Sequence, residues 1–395
     1  MAPRTRREVL SAAAAAAMGM RRAEAVPAST PRPASRPGTG ETALDEALRL
    51  LQKAEPESTQ GLSTHAPMVV EALCALGHEG RAVAWVEGYR GPRLRLPTPR
   101  EPIPRENWRS ALGPREGASS WEEALARWGD WGELFTAELA EAPWKDVLDT
   151  WAQRLAPGLC AAATHGVIRT AHAARGLAQR DTAERRAELV RGLAYWAAAY
   201  QELPARPRAG AATATYAEAL AKLPLYRGKD GPPPRGNIVS GLREAGTLDG
   251  FADARDLVVS PPDLSAALSS LTATFARAYL WHGTEGRSVA TIAFVHVVTG
   301  PCALRKMLPF LKPETARAAL PYAWQAAAGI YSAYARDVVG ARIPEPRLGR
   351  DDITARAVEN GDEHAIKFTE ALLAEHAIKP DPVYLAAAED AVERL

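Results

Sequence analysis

Apolar positions recur at helical spacing along nearly the whole chain from Glu41 onward. Leu44, Leu48 and Leu51 fall on one face, and Leu62 to Leu76 continues the pattern with Ser63 or Thr64 placed to cap it. Trp121, Leu125, Trp128 and Phe135 line one side of an amphipathic segment that runs to Leu139. Pro143 ends it, and Trp144 to Leu155 forms the next. Gly158 to Leu177 and Glu184 to Leu203 are long and compatible with helix. Pro261-Pro262 opens another, from about Asp263 to Trp281, with Asp263 as its N-cap. Further helices are predicted over Ala303 to Leu311, Pro313 to Val339, Asp362 to Ile378 and Tyr384 to Leu395. Ser288 to Val298, apolar and β-branched, reads as helix or strand.

Two stretches break the pattern. Gly91 to Pro104 is proline-rich and predicts an extended loop; Pro204 to Asp249 carries Gly231-Pro232-Pro233-Pro234 in its middle. No period-two alternation and no βαβ rhythm occurs, so the expected fold is all-α. The second break could divide two domains. Because residues with chemical potential lie on both sides of it, residues 41–395 are expected to form one large multi-helix domain.

Composition changes this picture little. Of 395 residues 47% are hydrophobic, and Lys+Arg 48 against Asp+Glu 47 leaves neither a basic footprint for nucleic acid nor an acidic tail. The three cysteines, Cys74, Cys160 and Cys302, are far apart and odd in number, which suits small buried side chains better than a disulfide framework. Residues 1–40 differ. Arg4-Thr5-Arg6-Arg7-Glu8-Val9-Leu10, a run of six alanines and Ala23-Glu24-Ala25 resemble a twin-arginine export signal, and Val26 to Gly40 reads as a flexible linker. Export to the periplasm or medium is expected, with a cytoplasmic location the alternative. The apolar stretch is too short and mild for a membrane span.

Histidine carries the chemical signal. Five of eight lie in apolar helical contexts: His65, His165, His172, His296 and His364. A buried neutral imidazole is a common transition-metal ligand, and although each alone is more often a satisfied core residue, five together point to a site. His364 and Lys367 stand three apart, and His165 and Arg169 four apart, so each pair shares a helix face. His165 and His172 also share a face but are separated by roughly 10 Å of helix rise. They cannot readily bind one ion whose ligand bonds are about 2 Å, so His165 is taken as the ligand and His172 as its neighbour. Lys367 is either a snorkelling side chain or a buried amine, able to act as a base or to form a carbamate. Glu71 is too far round its helix to join His65, but it could orient a ligand from another helix. His78, His282 and His376 sit near helix ends and read as solvated or capping. No nucleophile elbow, HExxH, phosphate loop or dinucleotide fingerprint is present.

Four stretches together resemble the questin oxidase-like family. They are Leu62 to Tyr89 (which includes Ser-Thr-His-Ala-Pro-Met-Val-Val-Glu-Ala-Leu-Cys-Ala-Leu-Gly), His165 to Arg175, Phe294 to Leu304 and Asp362 to Lys367, in that order. The resemblance implies an all-helical oxidoreductase that consumes O2 and opens or oxygenates polycyclic aromatic substrates such as anthraquinones. It further implies His65, His165, His296, His364 and Lys367 as metal ligands, with Fe(II) as the expected ion. The chain departs from the family's fungal pattern, in which histidines stand near Met68 and at Arg169. That departure leaves Arg169 available for an anionic or phenolate oxygen, with His172 beside it as the second catalytic candidate. Trp85, Tyr89 and Trp108 are candidate walls for a flat substrate. Two other readings stay open: a metal-free, NADPH-dependent oxidase, and a helical binding protein without catalysis.

Overall fold

Side chains near the helix starts explain much of the local structure. In the computed structural model, which describes residues 42–52, 56–57, 62–89, 99, 101–114, 127–206, 214–226, 234–283, 288–336 and 342–395, Thr42 and Asp45 form a reciprocal capping box. It opens α1 (Ala43–Leu50). Asp263 accepts from Ala266 N at 2.6 Å, Ser288 from Thr291 N at 3.1 Å, and Asp362 from His364 N at 2.8 Å.

The remaining helices are α2 (Ala66–Ala75), α3 (Ala82–Gly88), α4 (Arg127–Glu141), α5 (Trp144–Leu155), α6 (His165–Gln179), α7 (Ala183–Ala198), α8 (Tyr216–Leu220), α9 (Ile238–Gly246), α10 (Leu264–His282), α11 (Val289–Met307), α12 (Pro313–Tyr334), α13 (Arg350–Asn360), α14 (Glu363–Ile378) and α15 (Pro382–Arg394). Among the described residues there is no sheet, only isolated bridges at Glu57–Ser63 and Ala214–Val258. The fold is all-α, and one continuous apolar core runs from Met68 to Val392.

Several expected boundaries move. The second helix starts at Ala66, not Leu62, because Pro67 belongs in a first turn. The preceding segment is held instead by the Glu57–Ser63 bridge and by Thr64 N donating to Pro56 O at 2.7 Å. The stretch from Gly158 is not helical until His165, because a left-handed turn intervenes. The ambiguous Ser288 segment is helix: α11 is buried nearly all round, runs through Pro301, and has no strand to pair with. Pro204 to Asp249 also holds two short helices, α8 and α9. The leader, the start of the Trp121 segment, most of the Gly91 loop and the Gly231-Pro232-Pro233 run lie outside the described residues.

Four helices make the frame that matters. α2, α6, α11 and α14 pack in a closed ring, each against its two neighbours. α7, α10, α12 and α15 pack around them. Gly166 on α6 lets α7 approach closely: a Cβ there would stand 2.7 Å from Trp196 Cα.

Candidate metal centre

Each helix of the ring delivers one histidine to a common point. His65 caps the start of α2, His165 is the first residue of α6, and His364 lies in the first turn of α14; His296 comes from inside α11. Lys367 follows His364 one turn later. All five are buried, none more than 7% exposed.

The imidazoles are in contact. His65 Nε2 and His165 Nε2 are 2.7 Å apart, with rings stacked at 4.7 Å. His364 stands edge-on to His65 at 4.6 Å between ring centres, His296 lies 4.4 Å from His165, and His296 and His364 are 6.0 Å apart. His165 Nδ1 is 2.6 Å from Ala162 O. A carbonyl can only accept, so Nδ1 carries the proton and Nε2 presents a lone pair to the cluster. The Glu363 carboxylate lies 3.0 Å from His65 Nδ1, on the far side of that ring from His165. His296 Nε2 and His364 Nδ1 are buried with no hydrogen-bond partner. Orphaned ring nitrogens, beside a His165 Nε2 that offers its lone pair toward His65, are what an imidazole-ligated ion would satisfy. Two ligands about 2.1 Å from one ion stand about 3.0 Å or more apart, so His65 and His165 need separate by only a few tenths of an ångström. Among the described residues, the ligand atoms that lie within 4.8 Å of one another are those of His65, Glu363 and His364. That imidazole and carboxylate set fits a transition metal such as iron, with His165 and His296 in ring contact beside it.

Electrostatics favours neutral ligands. Burial first, then the neighbouring His65 and Lys367, hold the His165 imidazole well below its ordinary value; burial and His165 do the same for His296. Burial brings the Lys367 amine down to about 8 against the pull of Glu363 and Asp362.

The turn before α6 is the strained part of the site. Ala162, Ala163 and Thr164 have φ of +48°, +57° and +72°, left-handed values that cost an L-residue about 1–2 kcal/mol each. The turn aims Ala162 O at His165 and brings Thr164 Oγ1 to 3.5 Å from His296 Nδ1. Gly300 on α11 makes room for it, since a Cβ there would lie 3.1 Å from Thr164 Cγ2. Local strain that positions two ring nitrogens is characteristic of a functional site.

The structure brings His65, His165, His296, His364 and Lys367 together and places His172 and Arg169 elsewhere. His172 Nδ1 donates to Glu71 Oε2 at 2.6 Å, so Glu71 does orient a histidine from another helix, but not a histidine of the cluster. Arg169 donates from Nε and Nη2 to Glu188 at 2.6 and 3.0 Å, both residues buried, while its Nη1 has no hydrogen-bond partner. The space beside Arg169 and His172 is about 10 Å³, room for one water at most. Of the aromatic candidates, Trp85 and Tyr89 stack at 4.8 Å and adjoin the site. Trp85 Nε1 donates to Gly361 O, and His65 N donates to Tyr89 Oη. Trp108 packs edge-on against Trp151 inside the core. His282 is buried against Phe294 rather than solvated, and burial pushes it down to about 4. Cys160 and Cys302 are buried and Cys74 half-buried, all unpaired.

Sequence reasoning missed Glu363, whose carboxylate groups with His65 and His364 within 4.8 Å, although it stands next to a chosen histidine. It also missed the left-handed turn. Among the described residues no helix is long and apolar enough to cross a membrane. In comparisons with known proteins, the chain matches no family model and no protein of curated function.

Proposed function

We propose that the protein is a mononuclear, metal-dependent oxidoreductase: a non-haem oxygenase that acts with O2 on polycyclic aromatic, anthraquinone-like phenols, as its resemblance to questin oxidase-like proteins implies. The observation that carries this reading is the convergence of four buried imidazoles from four helices, two of them with orphaned ring nitrogens. A ferrous ion held by His65, His165, His296 and His364, with Lys367 beside it, would supply Lewis acidity and one-electron access to O2. The residues do the rest. Ala162 O fixes the tautomer of His165, and Glu363 is placed to do the same for His65. The stacked Trp85 and Tyr89, which bond to Gly361 O and His65 N, would offer a flat apolar wall, and Glu363 is partly exposed. Lys367, buried one turn after His364, would bind the ion or, as a neutral amine, accept a proton from a phenol.

Anaerobically purified protein should contain, or take up, close to one iron per chain, and His296→Ala should lose most of it while keeping its helical circular dichroism. Only trace metal in the wild type after iron reconstitution, with His296→Ala indistinguishable from it, would reject the reading.

A further inference from the structure

The four helices that carry the histidines are tied together a second time. Glu71 lies six residues beyond His65 on α2, and His172 and Arg175 seven and ten beyond His165 on α6. Lys306 lies ten beyond His296 on α11, and Glu370 six beyond His364 on α14. At about 1.5 Å of rise per residue, these side chains sit roughly 9–15 Å down their helices from the cluster. All four helices therefore run in the same direction away from it.

At that level their charges interlock. Glu71 accepts from His172 Nδ1 at 2.6 Å and from Arg175 Nε and Nη2 at 2.7 and 2.6 Å. Arg175 Nη1 donates to Glu370 Oε1 at 2.5 Å, and Lys306 Nζ stands 3.0 Å from Glu370 Oε2. Glu71 and Glu370 are buried, and Lys306 is 7% exposed. Burial alone would raise both carboxyls, but Arg175 chiefly, with His172 at Glu71 and Lys306 at Glu370, outweighs it and holds both below the ordinary range.

Buried ion pairs are poor sources of net stability, because desolvation consumes most of their attraction; their best-attested use is to fix register. Apolar packing contributes to register here through side chains such as Met68, Ile168, Phe294 and Phe368, and directional charge pairs add to it. Buried small side chains such as Ala171, Ala174, Ala303 and Ala371 lie among them, and small side chains constrain axial position less than large ones. We propose that the Glu71–Arg175–Glu370–Lys306 array is a positioning device for the metal centre, which locks the axial register of the four helices so that their histidines meet. This rests on the metal reading above.

Cobalt(II) titration tests it, since the visible absorption of bound cobalt reports coordination geometry. The paired variant Lys306→Met/Glu370→Leu removes both ties of Glu370, to Lys306 and to Arg175, without stranding a charge, since Arg175 keeps its two bonds to Glu71. It is expected to fold and to bind cobalt roughly 10–100-fold more weakly, with a shifted absorption band, while Lys306→Arg stays near wild type. Asp45→Asn, which breaks the buried Asp45–Arg185 pair between α1 and α7, is the control: its melting temperature should fall with cobalt affinity and spectrum unchanged. Wild-type affinity and spectrum in the paired variant, or a weakening in Asp45→Asn as large as in the paired variant, would overturn the proposal. Wild-type protein that binds no cobalt would instead remove the metal reading itself, and this inference with it.

Discussion

Removing either partner of the Arg169–Glu188 pair should destabilise the protein far more than removing both. The two groups are 1% and 3% exposed and joined by two hydrogen bonds, Nε to Oε1 at 2.6 Å and Nη2 to Oε2 at 3.0 Å. Arg169→Met leaves a buried carboxylate whose nearest cation is Arg191, 3.9 Å away; Glu188→Gln leaves two guanidiniums and no carboxylate. Breaking a buried pair in this way costs about 3–5 kcal/mol, with the glutamine variant at the upper end. At about 2.1 cal/mol/K of unfolding entropy per residue, the roughly 300 described residues give about 0.6 to 0.7 kcal/mol per degree. The single variants should therefore melt about 4–8 °C below wild type. Arg169→Met/Glu188→Leu exchanges the pair for apolar groups and should recover most of that loss. Calorimetry of metal-free protein at neutral pH makes the comparison. A single variant within a degree of wild type, or a double variant equal to the sum of the two losses, would refute the reasoning. An Arg169→Met protein that melts normally but loses turnover would restore Arg169 to the substrate.

Two further predictions concern backbone and pH. Ala163→Gly relieves the strain of φ +57°, but the freer unfolded glycine gives back about 0.5–1 kcal/mol. The net gain should be up to about 1 kcal/mol, whereas Ala163→Val should melt several degrees lower; a glycine variant no more stable than the valine variant would contradict the strain. Burial pushes Glu57 up to about 8, only partly offset by the Tyr195 phenol that donates to it at 2.5 Å. The folded state thus keeps a proton that the unfolded chain releases near the ordinary carboxyl value of 4.5. This group's contribution is full at low pH and falls by up to about 1.4 kcal/mol per unit between those limits, levelling above pH 8. Glu57→Gln should remove that slope, so denaturation midpoints of wild type and variant should diverge across pH 5–8; parallel profiles would count against a buried neutral acid.

Much of the architecture was legible because helix signals are local. Asp263 caps α10 where the sequence placed it, and α14 and α15 begin and end within two residues of their predicted limits. α11 was ambiguous because β-branched burial suits a strand as well as a buried helix, and only the absence of a pairing partner decides it. The site was legible where geometry follows from helix spacing. Seven residues separate His172 from His165, and His172 indeed turns to a different partner. What depended on other elements was hidden. The pairing of Arg169 with Glu188 on the adjacent helix gave no sign in the sequence, and alanines at 162 and 163 give none of left-handed backbone, for which glycine or asparagine would be the usual mark.

The common direction of the four histidine-bearing helices has a consequence for how the centre comes into being. Parallel helices cannot be joined by tight turns, so the chain travels far between ligands: 100 residues separate the contact between His65 and His165, and 132 that between Thr164 and His296. Each closure carries an entropic toll that rises with loop length, and contacts this remote in sequence form late in folding. No fragment that lacks one of the four helices can hold the full ligand set, and a growing chain has no complete centre until the helix beginning at Glu363 has been made. On the proposed metal reading, ion capture would be postponed to the folded protein, and bound metal would report finished folding rather than nucleate it.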